Sequence, residues 1–294
     1  MTHFTRLSVK SLFIADAHLG APNSPALALG HLLDRTAVSE GIYILGDLID
    51  SRALPSGAAL PPAHAEVIDR LQVSAANGVP VIYIPGDRDG RLRSWLGNRG
   101  AADCDVGYCA ELDGLKLQER GWYTDGEGRR HLLVHGDERE PEGTHRQGWV
   151  RNAFARVQTA VGLAEDDTDG FVRRKLALAA AWRADGIICG HDPHSASRVG
   201  GGRFYRNPGH WAERQTAMIE TDDGRFVHLN WGDVLQQLKN RSPCEVFGGL
   251  AHHLDLKLEK VTVAVHRHNA LGSIPDRPPP VGTAKLLAAL RYTG

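Results

Sequence analysis

The sequence has little cysteine, no long apolar run and no surplus of charge of either sign. Four cysteines in 294 residues (Cys104, Cys109, Cys189 and Cys244) form no CxxC pair. This disfavours both a disulfide framework and a cysteine zinc site, and the four read as buried thiols. Lys and Arg number 34 against 35 Asp and Glu, a net charge of −1, so no global field draws the chain to nucleic acid or anionic lipid. Phosphate recognition has to be local. No basic stripe carries interleaved aromatics, which ranks a nuclease last, and no nucleic-acid partner is expected. Apolar runs are broken by Gly, Asp or Arg well short of the roughly 20 residues that a membrane span needs. The first stretch runs into Asp16 after a short apolar segment and reads as a strand rather than a signal peptide, which makes the cytoplasm the expected compartment.

What is present fits a folded, water-soluble chain of one large domain or two smaller ones: 42% hydrophobic and 23% charged residues. Leu12 to Ala15, Ile42 to Leu45 and Val81 to Pro85 are short apolar runs without polar alternation, as expected of strands buried on both faces. Between them Ala26 to Ser39 and His64 to Asn77 are apolar at helical spacing. Strand, helix, strand, helix, strand predicts a mainly parallel sheet, whose carboxyl edge gathers the turns. Further runs follow at Gly114 to Leu117, His131 to Val134, Gly186 to Cys189, Arg203 to Tyr205, Ala217 to Glu220 and Phe226 to Trp231. The fold class is α/β, a layered sandwich of mixed β-sheets flanked by helices. Residues 148 to 184 read as two helices split by the acidic segment Ala164 to Thr168, a helical insertion (about 138–185) that would overhang the strand ends. Residues 1–232 form the main domain. After Trp231 the pattern weakens, leaving 233–294 as a C-terminal extension of unknown role, with Arg277 to Pro280 linker-like.

Five turns carry metal-competent side chains directly after apolar strands. They are Asp16-Ala17-His18, Gly46-Asp47-Leu48-Ile49-Asp50, Gly86-Asp87-Arg88-Asp89, His135-Gly136-Asp137 and Gly190-His191-Asp192-Pro193-His194. One such Asp is ordinary, since Asp ends strands and caps helices. Five in succession are not. Oxygen and imidazole donors without thiolate favour Mn, Fe or Zn, and six or more ligands suffice for two ions.

In order and spacing these segments resemble the calcineurin-like metallophosphoesterases, whose pattern is D-x-H, G-D-x-x-D, G-N-H-D or G-N-R-D, G-H or H-G, and G-H-x-H. Within that family the chain is most similar to the UDP-2,3-diacylglucosamine pyrophosphatases. Arg88, His135-Gly136-Asp137-Glu138, the helical insertion, and Tyr205-Arg206-Asn207-Pro208-Gly209-His210-Trp211 beside that subgroup's Y-x-N-x-G-D-W carry the likeness. The resemblance implies one or two divalent cations, Mn first and Fe or Zn next. It implies Asp47 as shared ligand, Asp16 and His18 on the first ion, and Asp87, His135 and His191 on the second. His194 is a reserve ligand, Arg88 faces the phosphoryl oxygens, and Asn207 and Trp211 lie at the substrate. Asp50 and Asp89 would orient the ligands. Two cations about 4 Å apart that share a carboxylate polarise a phosphoryl group and activate water. The implied partner is a small phosphorylated or nucleotide-linked substrate, a lipid-linked one being met at the membrane surface by a chain peripheral to the inner membrane. For that, Trp149, Phe154, Val157, Phe171, Leu176, Leu178 and Trp182 would line an apolar groove, or else pack the two helices together.

The sequence departs from the pattern at three positions. Asp87 stands where the family has Asn, Pro193 where it has the last His, and His210 where the subgroup has Asp. Without an imidazole at 193 the first ion keeps Asp16, His18 and Asp47 unless His194 or Asp192 swings in, and is expected to bind weakly. A third carboxylate makes the cations poorer Lewis acids, which predicts slower hydrolysis or a higher pH optimum. The alternative reading is a degraded metal site in a non-catalytic phosphate-binding or interaction protein.

Overall fold

The computed structural model describes residues 2–55, 58–103, 105–137, 167–263 and 284–291. Strands β1 (Thr2–Ile14), β2 (Thr36–Leu45) and β3 (Val81–Ile84) run parallel and are joined by α1 (Ala26–Arg35) and α2 (Pro62–Ala76). The helix expected over residues 26–39 stops at Arg35. The β-branched Thr36 and Val38 prefer extended backbone. Thr36 Oγ1 donates back to Leu32 O (2.9 Å) at that junction, and Thr36 and Val38 pair with Leu7 and Val9 of β1. After α3 (Gly90–Arg99) come β4 (Ala101–Asp103), β5 (Gly107–Leu112) and β6 (Leu115–Gln118). β6 lies parallel to β3 and extends the sheet, while β5 and β4 follow antiparallel.

A second sheet starts from the hairpin of β7 (Gly121–Thr124) and β8 (Arg130–Val134). α4 (Asp167–Ala181) leads to β9 (Gly186–Cys189), parallel to β8, and β11 (Arg203–Asn207) continues parallel beside it. β10 (Ala196–Gly200) closes the edge. The chain then returns to the first sheet through the short α5 (Trp211–Arg214), β12 (Thr216–Glu220) and β13 (Phe226–Asn230), with β12 antiparallel on β1. α6 (Trp231–Leu238), α7 (Pro243–Leu254), β14 (Leu258–Val263) and α8 (Ala284–Leu290) follow.

The apolar side chains sort into three layers that define the sandwich. Phe13, Leu45, Ile84 and Met218 of the first sheet meet Tyr123, Leu133 and Ile188 of the second. On the outer face of the first sheet Leu7, Leu12, Ile42 and Leu117 pack under the helices with Leu29, Leu32, Val67 and Leu71. On the outer face of the second, Leu132, Ile187 and Tyr205 pack under α4 with Val172, Leu176 and Ala179. Between the sheets the Tyr123 hydroxyl joins Ser11 Oγ (3.0 Å) and the buried Glu220 carboxylate, tying β7 to β1 and β12.

Three expectations are corrected here. The segment after Trp231 is no appendage: Val246, Phe247, Ala251, Leu286, Ala289 and Leu290 belong to the same buried cluster as Leu7 and Leu29, and β14 pairs with β1. Val246, Phe247, Leu250, Ala251 and Leu254 recur at helical spacing on one face of α7, a period that marks a helix but not the core it joins. The described part of the insertion, α4, covers a sheet face instead of overhanging the strand ends; residues 138–166, with Trp149, Phe154 and Val157, lie outside the described residues. Of the cysteines only Cys189 is buried among those described, with Cys109 half-buried and Cys244 exposed, and Cys104 falls outside them.

The packing of the C-terminal helices makes a pH prediction. His31 on α1 lies against Trp231 and Phe247 (ring centroids 5.7 and 6.4 Å), and burial, helped by the Arg35 guanidinium, pushes its pKa down to about 4. The unfolded imidazole titrates near 6.5, so the unfolded state takes up the proton first. Stability is therefore full above pH 6.5 and falls as pH drops toward 4. Between pH 7.5 and 5 the parent is expected to lose about 1–2 kcal/mol more than His31→Gln in urea titrations. Equal slopes would remove His31 from the account.

Candidate metal centre

Each of five strands delivers one ligand-bearing turn to its carboxyl end: β1 gives Asp16 and His18, β2 gives Asp47, β3 gives Asp87, β8 gives His135 and β9 gives His191. Parallel neighbours within each sheet put these turns on a common edge. The turns after β1 and β2 are laced together, with Asp16 N–H donating to Gly46 O (3.1 Å), His18 N–H to Asp47 O (2.9 Å) and Leu19 N–H to Leu48 O (2.7 Å). Asp16, His18, Asp47 and His191 all adopt left-handed backbone, with φ of 57°, 51°, 52° and 66°. Asp and His tolerate this region better than most residues, yet such conformers persist only where the surroundings impose them, commonly at functional sites. Gly46 (φ 86°) cannot be replaced, since a Cβ there would enter the His135 ring; a Cβ on Gly86 would enter the Asp47 carboxylate.

Asp47 sits at the middle. Its Oδ1 accepts from Arg88 N–H (2.8 Å), and its Oδ2 lies 3.7 Å from His18 Nε2 and 3.6 Å from His135 Nε2. On one side His18 Nε2 is also 3.9 Å from Asp16 Oδ1, and the Asp16 carboxylate accepts from His191 N–H (3.0 Å). On the other, Asp87 Oδ1 is 3.7 Å from both His135 Nε2 and His191 Nδ1. These gaps exceed hydrogen-bond length. Three groups of ligand atoms result, each within 4.8 Å: Asp16 with His18 and His210, Asp16 with Asp47 and His135, and Asp87 with His135 and His191.

The donors fit divalent cations on two observations. His18 Nε2 is buried and makes no hydrogen bond, although carboxylates stand on two sides of it. His135 Nδ1–H donates to Leu45 O (2.8 Å), which directs Nε2 into the cluster, the arrangement by which a ligating histidine is oriented. Electrostatics agree. Burial pushes the Asp47 pKa up to about 7, with the Asp89 and Asp16 carboxylates adding to it. Burial opposes a charged His135, but Asp87, Asp16 and Asp47 outweigh it and raise the ring to about 10. The same His135 contact holds the Asp87 carboxyl well below the usual carboxylate range. For His18, burial is overcome by Asp16, Asp47 and Asp50, and its pKa is raised. A surplus of buried carboxylate thus gathers positive charge by protonating imidazoles, a place a cation would take.

The supporting carboxylates stand where the sequence expects them. Asp50 Oδ1 accepts from Arg52 N–H (3.0 Å) and Ala53 N–H (3.1 Å), and Oδ2 is 3.6 Å from His18 Nδ1. Asp89 is fully buried and accepts from Leu48 N–H (3.1 Å), Gly86 N–H and the Tyr83 hydroxyl. Arg88 stands at the half-exposed rim, 4.0 Å from the carboxylates of Asp50 and Asp87.

Three expected site residues stand elsewhere. The His194 side chain is 61% exposed, turned toward Asp192 Oδ1 (3.2 Å) and the Arg214 guanidinium (3.3 Å) because Asp192 closes a tight turn on His194 N–H (2.8 Å). Asn207 is fully buried, donating to Asp192 O (3.0 Å) and accepting from Gly209 N–H (2.7 Å), so it shapes a loop rather than meeting substrate. Trp211 is fully buried in the main apolar cluster. Arg52 was missed, and His210 stood out only as a departure in the substrate loop, not as a ligand candidate. Arg52 donates to Asp87 Oδ2 and O (both 3.1 Å), a second guanidinium at the rim that no spacing announced. His210 joins Asp16 and His18; burial pushes its pKa below the ordinary value. The signal was its appearance in the same chain that lacks an imidazole at 193.

A layered α/β sandwich with five ligand-bearing turns in this order matches the calcineurin-like metallophosphoesterases, as the sequence resemblance implies. In sequence the chain is similar to UDP-2,3-diacylglucosamine hydrolases. It is 33% identical over 133 residues to that of Sodalis glossinidius (44% of this chain, 48% of that protein). It is 31% identical over 164 residues to that of Actinobacillus succinogenes (52% and 63%) and 35% over 131 residues to that of Escherichia coli O7:K1 (43% and 48%). The chain spans about half the length of two of these relatives and under two thirds of the third. No protein-family model matches it. Among solved structures, an archaeal phosphodiesterase aligns over 74% of this chain and 98% of its own at 13% identity, with a TM-score of 0.36. Among the described residues no helix is long and apolar enough to cross a membrane.

Proposed function

We propose that the chain is a metal-dependent phosphoesterase that hydrolyses a phosphoester or pyrophosphate bond in a small nucleotide-linked molecule, a UDP-linked acylated sugar of the lipid A route being the leading substrate. The observation that carries this reading is Asp47 Oδ2, placed 3.7 and 3.6 Å from imidazoles of two different turns, so that its carboxylate faces both halves of the donor cluster and could serve a cation in each. The substrate class rests on the names of the curated relatives, and that of the E. coli O7:K1 strain is 35% identical over the part matched.

In this reading Asp16 and His18 hold the first cation, Asp87, His135 and His191 the second, and Asp47 both. Manganese suits this oxygen-and-imidazole set, with iron or zinc next. Bound cations would supply Lewis acidity to the phosphoryl group and to the attacking water. Arg88, forked and permanently charged, meets the negative charge that develops on the phosphoryl oxygens. It cannot donate a proton. Asp50 and Asp89 keep the turns in register. Among the described residues, the apolar side chains of α4 and Trp182 just beyond it pack inward: Leu176 is buried, and Phe171, Leu178 and Trp182 pack against the cluster of the second sheet. A lipid-linked substrate, and with it a chain at the membrane surface, therefore draws no support from them.

The test is phosphate or nucleotide release from an aryl phosphodiester and from UDP-linked sugars with added Mn. Turnover that chelator abolishes is expected; none with Mn, Fe or Zn would favour the non-catalytic phosphate-binding reading, which the extra carboxylate at 87 and Pro193 support. Asp87 is also the site of a gain. Replacing it by Asn removes one anionic donor and is expected to raise hydrolysis of the aryl diester several-fold, because the remaining ligands quench the cations less. A lower rate in Asp87→Asn at saturating Mn would show instead that the carboxylate is needed to hold the second ion.

A further inference from the structure

Pro193 removes the imidazole that the pattern of the fifth turn supplies, and no neighbour in that turn replaces it, since His194 points to Asp192 and Arg214. An imidazole nevertheless stands at the first half of the cluster. His210, on the loop between β11 and α5, is buried, its ring centroid is 5.0 Å from that of His18, and one of its ring nitrogens lies within 4.8 Å of ligand atoms of both Asp16 and His18. The position is fixed from both sides. Trp211 N–H donates to Ala15 O (3.0 Å) and Ala212 N–H to Asp16 O (2.9 Å), so the loop is bolted to the turn that carries the first two ligands. Behind it Asn207 holds Gly209 N–H, and Gly209 takes a φ of 86° against Thr216 and Ser195. The buried indole of Trp211 anchors the whole loop in the core.

We propose that His210 is a ligand of the first divalent cation, standing in for the imidazole lost at Pro193, so that this ligand has moved from the loop after β9 to the loop after β11. This rests on the metal-dependent reading above and alters one part of it: the first site keeps its full complement and is not the weak one. Glu213 N–H donates to His210 Nδ1 at 3.2 Å, a long bond. To ligate through Nε2 the ring has to carry its hydrogen on Nδ1 and release that amide. A site of two imidazoles and two carboxylates prefers Mn, Fe or Zn to Mg or Ca.

Metal content and calorimetric titration with Mn decide the matter without any turnover assay. Parent protein stripped with chelator and reloaded is expected to hold two ions. His210→Asn, whose amide oxygen can still accept from Glu213 N–H, is expected to lose one ion or to bind it at least tenfold more weakly, with its melting temperature in chelator unchanged. Restoring the family imidazole by Pro193→His in the His210→Asn chain is expected to return the ion lost from the first site. Two ions held with parental affinity by both His210→Asn and His210→Ala would overturn the proposal while leaving the phosphoesterase reading intact. A parent chain that binds no divalent ion would overturn both.

Discussion

Asp47→Ala is expected to lower metal-supported hydrolysis of an aryl phosphodiester by roughly a thousandfold or more, the largest functional effect of any single substitution in the chain. Its carboxylate is the group that both halves of the cluster face, so its removal opens both sites. Stability moves the other way. Burial and the neighbouring carboxylates raise the Asp47 pKa to about 7, against a value near 4 in the unfolded chain. The native state therefore binds the proton more tightly, and stability contributed by this group falls as pH rises from about 4 through 7. In chelator at pH 8, Asp47→Asn, which can still accept from Arg88 N–H, is expected to melt higher than the parent; at pH 4 the difference vanishes. With Mn present the order reverses, because only the parent gains from the cation. An Asp47→Ala chain with parental turnover, or an Asp47→Asn chain that melts lower than the parent in chelator at pH 8, would show that the cluster is a structural network and not a metal centre.

The second large effect is structural. Asp89→Ala leaves Leu48 N–H, Gly86 N–H and the Tyr83 hydroxyl without their common acceptor in a fully buried place. Buried donors left unmade cost about 1–3 kcal/mol each, and some of that is recovered by relaxation or water, so a loss of about 3–5 kcal/mol is expected in urea unfolding. The turns after β2 and β3 would also separate, and metal content should fall with stability. Asp89→Asn, isosteric and able to keep an acceptor oxygen, should recover part of both. A loss below about 1 kcal/mol for the alanine variant would mean that the three donors find other partners.

Much of this site was legible because its logic is local. A strand buried on both faces reads as an unbroken apolar run, and the turn behind it must carry polar residues, so Asp16, Asp47, Asp87, His135 and His191 could be found by looking directly after Leu12 to Ala15, Ile42 to Leu45, Val81 to Pro85, His131 to Val134 and Gly186 to Cys189. Asp50 and Asp89 were equally readable, each being a short carboxylate within reach of backbone amides of its own turn. His194 was not. Proximity in sequence to His191 suggested a ligand, yet the turn closed by Asp192 faces it away. Asn207 and Trp211 lie in a segment resembling a substrate loop, but an amide that closes a turn and an indole that fills a core carry the same letters as ones that meet a ligand.

The sequence by itself determined that five strand-end turns bear cation donors, and that sheets and helices form in layers, because apolar periodicity and turn chemistry act over a few residues. Only the tertiary structure decided that His210 lies beside His18, that residues after Trp231 complete the main core, and that Arg52 reaches Asp87. Those three facts depend on contacts between segments far apart in the chain, made by backbone bonds such as Trp211 N–H to Ala15 O that no local pattern records.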